Sequence, residues 1–400
     1  MECVGAMNRA VDVLVIGAGP GGSFAAEAAA RRGAETLLLE KRSEIGTPVR
    51  CGEGVAKGWL EELGLPPSRE FVAHELLGSR VISPDGTPLV LDHGPSSKGG
   101  YVLERDLFDR YLAKRAAKAG AELMVKTAAV GLLRDDGRVA GARCEHMGET
   151  FDVRARVVIG ADGFESQVGR WAGLSTHLRT KDLASCLQYT LVGVEGDSRY
   201  GDFYLGSMAP GGYAWVFWKG ADVANVGLGV NLARLRNRAE TKGYLDALVA
   251  RIPGMAKGRV IEEVAGGVSV SMPLERSVAP GLLLVGDAAR LIDPLTGGGI
   301  LNACLTGRYA GEIAAEAVEA GDASESLLRA YEVRWRARLE EELARHYLVK
   351  EALLRIDDET INKIIRTVAE ARLPSLTSAN ILGLLKARHP ELLEAFRGLL

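Results

Sequence analysis

The chain has 400 residues, 47% hydrophobic and 25% charged, an ordinary globular composition for about two to three domains. Its net charge of −3 advertises no basic face, so no nucleic-acid partner is expected. No apolar run reaches the roughly 18 residues of a membrane span and the first residues lack a secretion signal's apolar core, so a cytoplasmic location is expected, with contact at the inner membrane face left open.

In chain order, Val11–Ile16 is a short β-branched run that predicts a buried strand. Gly17, Gly19 and Gly22 then fit Gly-x-Gly-x-x-Gly, an Ala-rich helix runs to Gly33, and a second strand, Thr36–Leu39, ends in Glu40. That β-α-β unit is the fingerprint of a dinucleotide site: the glycines allow a tight turn and close backbone approach, the helix N-terminus takes a pyrophosphate, and the acid takes a ribose hydroxyl. Next comes Arg-Cys-Gly-x-Gly, with Arg50, Cys51, Gly52 and Gly54 in a loop. Alone, such a cysteine is most often a small buried hydrophobe. The other four cysteines, Cys3, Cys144, Cys186 and Cys304, are scattered with no Cys-x-x-Cys pair. They are read as packing; this is neither a zinc nor a disulfide pattern, and no metal is expected.

Residues 101–133 predict a helix with the stripe Leu107, Phe108, Tyr111, Leu112 and Ala116, stopped by Gly120 and followed by a strand. Residues 157–173 read as strand, turn and helix. Between 180 and 270 short aromatic and β-branched runs broken by glycines predict antiparallel strands. There Tyr213, Trp215 and Phe217 alternate, so they share a sheet face, as an aromatic core or as the wall of a substrate channel. Residues 281–318 read as a strand ending at Gly286-Asp287, a glycine cluster at 297–299 and a long helix. From 327 to 400 the pattern is helical, punctuated by Pro374.

The Gly-Asp and triple-glycine segment, together with Gly-Ala-Asp-Gly at 160–163, resembles the flavoproteins of the p-hydroxybenzoate hydroxylase type. In those proteins an arginine follows the second motif; here position 169 is glycine and Arg170 comes next. The Arg-Cys-Gly-x-Gly loop and the Tyr-x-Trp-x-Phe strand narrow the resemblance to geranylgeranyl reductases, above all the archaeal digeranylgeranylglycerophospholipid reductases, with Trp218 where that family has proline. The resemblance implies an α/β fold. A Rossmann-like FAD-binding domain would span 7–80, 100–180 and 271–326, an inserted antiparallel-sheet substrate domain 81–99 and 181–270, and a C-terminal helical region 327–400.

It also implies site residues. Gly17, Gly19, Gly22, Ser23 and Glu40 would hold the ADP part of FAD, Arg105 would reach the pyrophosphate, and Ala129 and Val130 would flank the adenine. Asp287, Gly299 and Ile300 would hold the ribityl chain and ring, while Arg50, Cys51, Gly52 and Gly54 would line the isoalloxazine. Tyr213, Trp215, Phe217 and Trp218 would contact the prenyl substrate. The expected reaction saturates geranylgeranyl chains of archaeal membrane phospholipids. An isolated alkene is a poor hydride acceptor, so a proton must arrive from a nearby donor in a dry pocket. Cys51 and Tyr213 are the candidates, directly or through a water, although a thiol and a phenol, with reference pKa values of about 8.5 and 10, are weak acids. No nicotinamide fingerprint is left over, so the reductant is a ferredoxin-like protein, a reduced deazaflavin or transiently bound NAD(P)H. The competing readings are a chlorophyll-pathway prenyl reductase, a flavin monooxygenase or halogenase, and a flavin-carrying protein without catalysis. A halogenase would carry Trp-x-Trp-x-Ile, which the chain lacks.

Overall fold

Continuous apolar runs such as Leu37–Leu39 and Leu282–Leu284 belong in a sheet covered on both faces, and each of these residues is at most 1% exposed. The computed structural model describes residues 9–91, 99–237, 239–371, 373 and 378–392. Parts of the expected domains, at 7–8, 92–98 and 393–400, and the helix-breaking Pro374 lie outside the described residues, as does Cys3. The chain divides into two compact units, one of residues 1–49, 105–178 and 271–344, the other of 50–104, 179–270 and 345–400.

In the first unit, parallel strands run in the order Leu282–Leu284, Glu149–Gly160, Arg9–Ile16, Thr36–Leu39 and Glu122–Met124. Thr127–Asp135 and Arg138–His146 extend this sheet by antiparallel pairing, and Val278–Ala279 closes the opposite edge. The helices expected after the glycine turns are Pro20–Arg31 and Ile300–Ala320. Their backbones nearly touch. A Cβ at Gly307 would lie 2.1 Å from the Gly21 carbonyl oxygen, and one at Gly311 would lie 2.2 Å from that of Ala25. Because contacts advance in the same direction along both helices, their N-termini lie at the same end. Gly120, at φ +107°, stops the helix Arg105–Lys118 as expected.

The second unit has a three-stranded antiparallel sheet of Gly54–Ala56, Gly100–Leu103 and Val72–Leu76. Its larger, seven-stranded sheet runs Arg259–Ser269, Leu183–Val192, Val223–Asn231, Tyr213–Trp218, Tyr200–Tyr204, Gly78–Ile82 and Pro88–Val90. The glycine-broken runs do form antiparallel strands, but Tyr200–Tyr204 pairs with Gly78–Ile82 in parallel. The helix Glu240–Arg251 covers one face through Leu245 and Leu248. The two units cut the chain differently from the three expected regions. Residues 50–80 and 100–104 join the second unit because their strands pair there, and residues 345–400 join it as well. Asp358, for example, accepts hydrogen bonds from the Ser207 backbone and hydroxyl at 2.8 and 2.6 Å.

The helix pair yields a test. Gly307→Val puts branched carbon into the Gly21 backbone, so the two helices must separate. A loss of about 1–3 kcal/mol is expected, with a fall in bound FAD, by thermal melting and flavin absorbance. An unchanged melt with full FAD content would contradict the packing.

Candidate functional site

The nucleotide half of the site is built by the first unit. Gly17 sits at φ +106°, where a side chain would also strike the Ala161 carbonyl at 2.4 Å. A Cβ at Gly22 would be 1.8 Å from the Gly17 carbonyl, so only glycine lets the helix fold back onto the turn. Gly19 differs: a Cβ there meets nothing within 4 Å. It occupies the N-cap of Pro20–Arg31 without a capping side chain, which leaves helix N–H groups for an anion. Glu40 is drawn into this turn, accepting from the Ala18 N–H at 3.2 Å and the Arg42 N–H at 2.9 Å. Ser23 is fully buried, and its hydroxyl donates to the Ala18 carbonyl at 3.3 Å. Through that bond it braces the turn at the start of the helix.

The second fingerprint converges on the same end. Gly299 is the N-cap residue of the helix beginning at Ile300, again without a side-chain cap. Burial pushes the Asp287 carboxyl up to about 6, against the opposing pull of the Arg105 charge. Arg105 is aligned by a two-point ion pair with Asp109, at 3.1 Å for each hydrogen bond. Ala129 and Val130 lie on the strand Thr127–Asp135, with Val130 43% exposed. These features fit a flavin dinucleotide: two uncapped helix N-termini for phosphates, an open glycine, and carboxylates for hydroxyl donors. The Asp-Gly motif has a structural role here. Asp162 accepts from Ser166 Oγ at 2.7 Å and from the Gln167 and Val168 N–H groups at 2.7 and 3.0 Å, capping the short helix Val168–Trp171. A Cβ on Gly169 would lie 2.8 Å from the tip of the Leu284 side chain.

The second unit assembles the loop and the aromatic strand. Trp215 Nε1 donates to Gln188 Oε1 at 2.8 Å, and Gln188 Nε2 donates to the Cys51 carbonyl at 3.2 Å. Gly52 and Gly54 lie against the strand's own rings: Cβ atoms there would come within 3.2 and 3.0 Å of Phe217. The flat surface these glycines lie against is thus supplied by the protein itself. Tyr213, Trp215 and Phe217 share a face as expected, with Tyr213 and Trp215 5.8 Å apart between centroids and Trp215 stacked on Phe217 at 6.4 Å. A Cβ on Gly227 would stand 2.4 Å from the Trp215 ring, so the indole lies across a bare backbone. Arg50 is exposed, and Cys51 is half-buried.

Trp218 is a correction. One residue past Phe217, it points to the opposite face, 1% exposed in the core covered by Glu240–Arg251. It does not join the wall formed by Tyr213, Trp215 and Phe217. Burial pushes the Cys144 and Cys186 thiols up to about 12, which suits the packing role expected of them.

Sequence reasoning missed Glu53, Lys219, Asn225 and Gln188. Glu53, the x of Arg-Cys-Gly-x-Gly, is 3% exposed; its Oε2 accepts from Lys219 Nζ at 2.7 Å and Asn225 Nδ2 at 2.6 Å. Lys219 also donates to Glu104 at 2.6 Å. Burial alone would lower its pKa, but Glu53 and Glu104 outweigh that and hold it above the ordinary lysine value. A carboxylate between two loop glycines and a lysine directly after an aromatic strand were the available signals.

The chain resembles known proteins over nearly its whole length. Residues 182–268 match the geranylgeranyl reductase catalytic domain, and residues 12–209 match FAD dependent oxidoreductases. The chain is 47% identical to the digeranylgeranylglycerophospholipid reductase of Thermoplasma volcanium, over 97% of this chain and 99% of that one. It is 46% identical to the crystal structure of a geranylgeranyl bacteriochlorophyll reductase-like protein from Thermoplasma acidophilum, with a TM-score of 0.94 over 98% of this chain and 100% of that one. A p-nitrophenol 4-monooxygenase from Pseudomonas putida, 17% identical with a TM-score of 0.74 over 96% of this chain and 99% of that one, shares the fold alone.

Asp287 provides a test without substrate. Its folded pKa near 6 exceeds the ordinary 3.8, so in FAD-free protein its contribution to stability is lost as pH rises between those values. Asp287→Asn should stabilise the FAD-free protein at pH 7 by roughly 1–3 kcal/mol, flatten that pH dependence and weaken FAD binding. Equal urea midpoints for parent and variant at pH 7 would show that the carboxylate carries no such penalty.

Proposed function

This chain belongs to the digeranylgeranylglycerophospholipid reductase family, and on that premise we propose that it saturates the geranylgeranyl chains of archaeal membrane glycerophospholipids. It is an FAD-dependent oxidoreductase that acts on a prenylated lipid and needs a reductant. Bound, reduced FAD supplies the hydride. Gly17, Gly19, Gly22 and Glu40, with Gly299 and Ile300 at the second helix start, hold its phosphates and sugar, and Asp287 takes the ribityl hydroxyls. Arg105 balances the pyrophosphate charge, and Ala129 and Val130 flank the adenine.

The remaining requirements fall on the second unit. Protonation of the less substituted alkene carbon leaves positive charge on the other carbon. Cys51 supplies that proton, directly or through a water, with Tyr213 as the second donor. The faces of Tyr213, Trp215 and Phe217 exclude water and favour the developing cation through their quadrupoles. What supports this reading is the seating of the Arg50–Gly54 loop on Trp215 and Phe217, with Gln188 tying the cysteine's backbone to the aromatic strand. The reductant is a ferredoxin-like protein, a reduced deazaflavin or NAD(P)H. Among the described residues no helix is long and apolar enough to cross a membrane. We place the meeting with lipid at the inner membrane face, as a peripheral contact.

Cys51→Ser tests the assignment. The variant should keep FAD, while anaerobic reoxidation of photoreduced enzyme by a geranylgeranyl lipid slows by about 100-fold, the usual scale for a lost general acid. A rate equal to the parent's would remove Cys51 from the chemistry.

A further inference from the structure

Glu53 is buried, charged and left-handed. Its φ of +72° is uncommon for a residue with a side chain. In that conformation its backbone N–H donates to Cys51 Sγ at 3.2 Å. The residue is held from several sides: Lys219 and Asn225 bind the carboxylate, and its carbonyl accepts from the Leu103 N–H at 2.9 Å. Asn225 is itself fixed by the Thr190 hydroxyl, which donates to its Oδ1 at 2.8 Å, with Glu262 Oε2 3.3 Å from the same hydroxyl oxygen. So much anchoring exceeds what closing a short loop requires. It fixes one backbone N–H against one sulfur.

We propose that Glu53 is a positioning residue for Cys51: its side chain, clamped by Lys219 and Asn225, locks the left-handed backbone that aims the Glu53 N–H at the sulfur. The proposal rests on Cys51 as proton donor. When the thiol gives its proton to the alkene carbon, the S–H bond breaks, a C–H bond forms and the electron pair stays on sulfur. The Glu53 N–H is a donor already pointed at that developing anion. A bare carboxylate so near would oppose a thiolate; Lys219 offsets the charge while using it as the anchor. Among the described residues, charged groups near the loop include Arg50 beside the cysteine, Glu104 on Lys219 and Glu262 behind Thr190.

Anchoring and charge make opposite predictions for the thiol. Deleting the Glu53 charge alone favours the thiolate and lowers the titration midpoint; losing the aimed N–H raises it. The experiment follows iodoacetamide alkylation of Cys51 against pH in FAD-loaded oxidised enzyme, read by mass spectrometry on the peptide containing Cys51. Glu53→Ala should raise the midpoint by about one pH unit, a tenfold slower reaction below it. Glu53→Gln keeps an oxygen for Lys219 and Asn225, so its midpoint should match the parent's or fall slightly. Asn225→Ala removes an anchor with no change of charge and should raise the midpoint, by less than Glu53→Ala. It carries the test alone if Glu53→Ala does not retain FAD. Midpoints at or below the parent's in both alanine variants would overturn the proposal. Anaerobic turnover separates the two claims. A raised midpoint with a lower kcat and unchanged KM supports both, whereas a raised midpoint with parental turnover supports the anchoring and sinks Cys51 as donor.

Discussion

The nucleotide site depends on one steric constraint: two helices almost three hundred residues apart in the chain approach until backbone meets backbone. Gly21, Gly307 and Gly311 permit it, since a Cβ at either of the latter two would lie within about 2.2 Å of a carbonyl oxygen of the facing helix. With ordinary side chains at those positions the helix axes would sit farther apart and the two uncapped N-termini would diverge. Held together, they give one region rich in unsatisfied N–H groups and positive helix-end potential. Neither glycine fingerprint would specify a dinucleotide site so well alone. Arg105, aligned by Asp109, and Asp287, held above the ordinary aspartate pKa by burial, add the charged groups at that end.

The second unit uses glycine for another purpose. Gly52, Gly54 and Gly227 remove side chains where aromatic rings must lie flat, so Trp215 and Phe217 are gripped between a loop and a neighbouring strand. The Trp215–Gln188–Cys51 hydrogen-bond chain then links ring orientation to the position of the cysteine loop. Behind it, Glu53, Lys219 and Asn225 form a buried polar cluster. Such a cluster is costly unless its members are paired, and it rigidifies the loop once they are.

Legibility in the sequence followed locality. The first fingerprint is a contiguous strand, turn, helix and acid, so Gly17 to Glu40 could be read directly, and the glycine cluster before Ile300 was as plain. The alternation of Tyr213, Trp215 and Phe217 was equally local; the same period puts Trp218 on the other face, where the family comparison at that position had suggested a substrate contact. Pairing between distant strands was not legible. Nothing near Gly78–Ile82 announces a parallel partner at Tyr200–Tyr204, and nothing near Gly54–Ala56 announces Gly100–Leu103, so the segments around them were assigned to the nucleotide domain. Gly52 and Gly54 read in the sequence as bare backbone beside a flat ring; that the Phe217 ring lies within reach of both cannot be read without the fold. Ser23 shows the same limit: its place beside the glycines was legible, while the turn of its hydroxyl toward Ala18 was not.

The reaction assigned to this chain adds hydrogen across isolated prenyl double bonds. The most direct measurement is mass spectrometry of lipids from an anaerobic host that makes geranylgeranylated glycerophospholipids and expresses this protein. Lipid masses should rise in steps of one hydrogen pair per double bond, with the step lost in a catalytically dead control. Unchanged masses from a host in which the protein is folded and loaded with FAD would contradict it, as would products that gain oxygen once air is admitted.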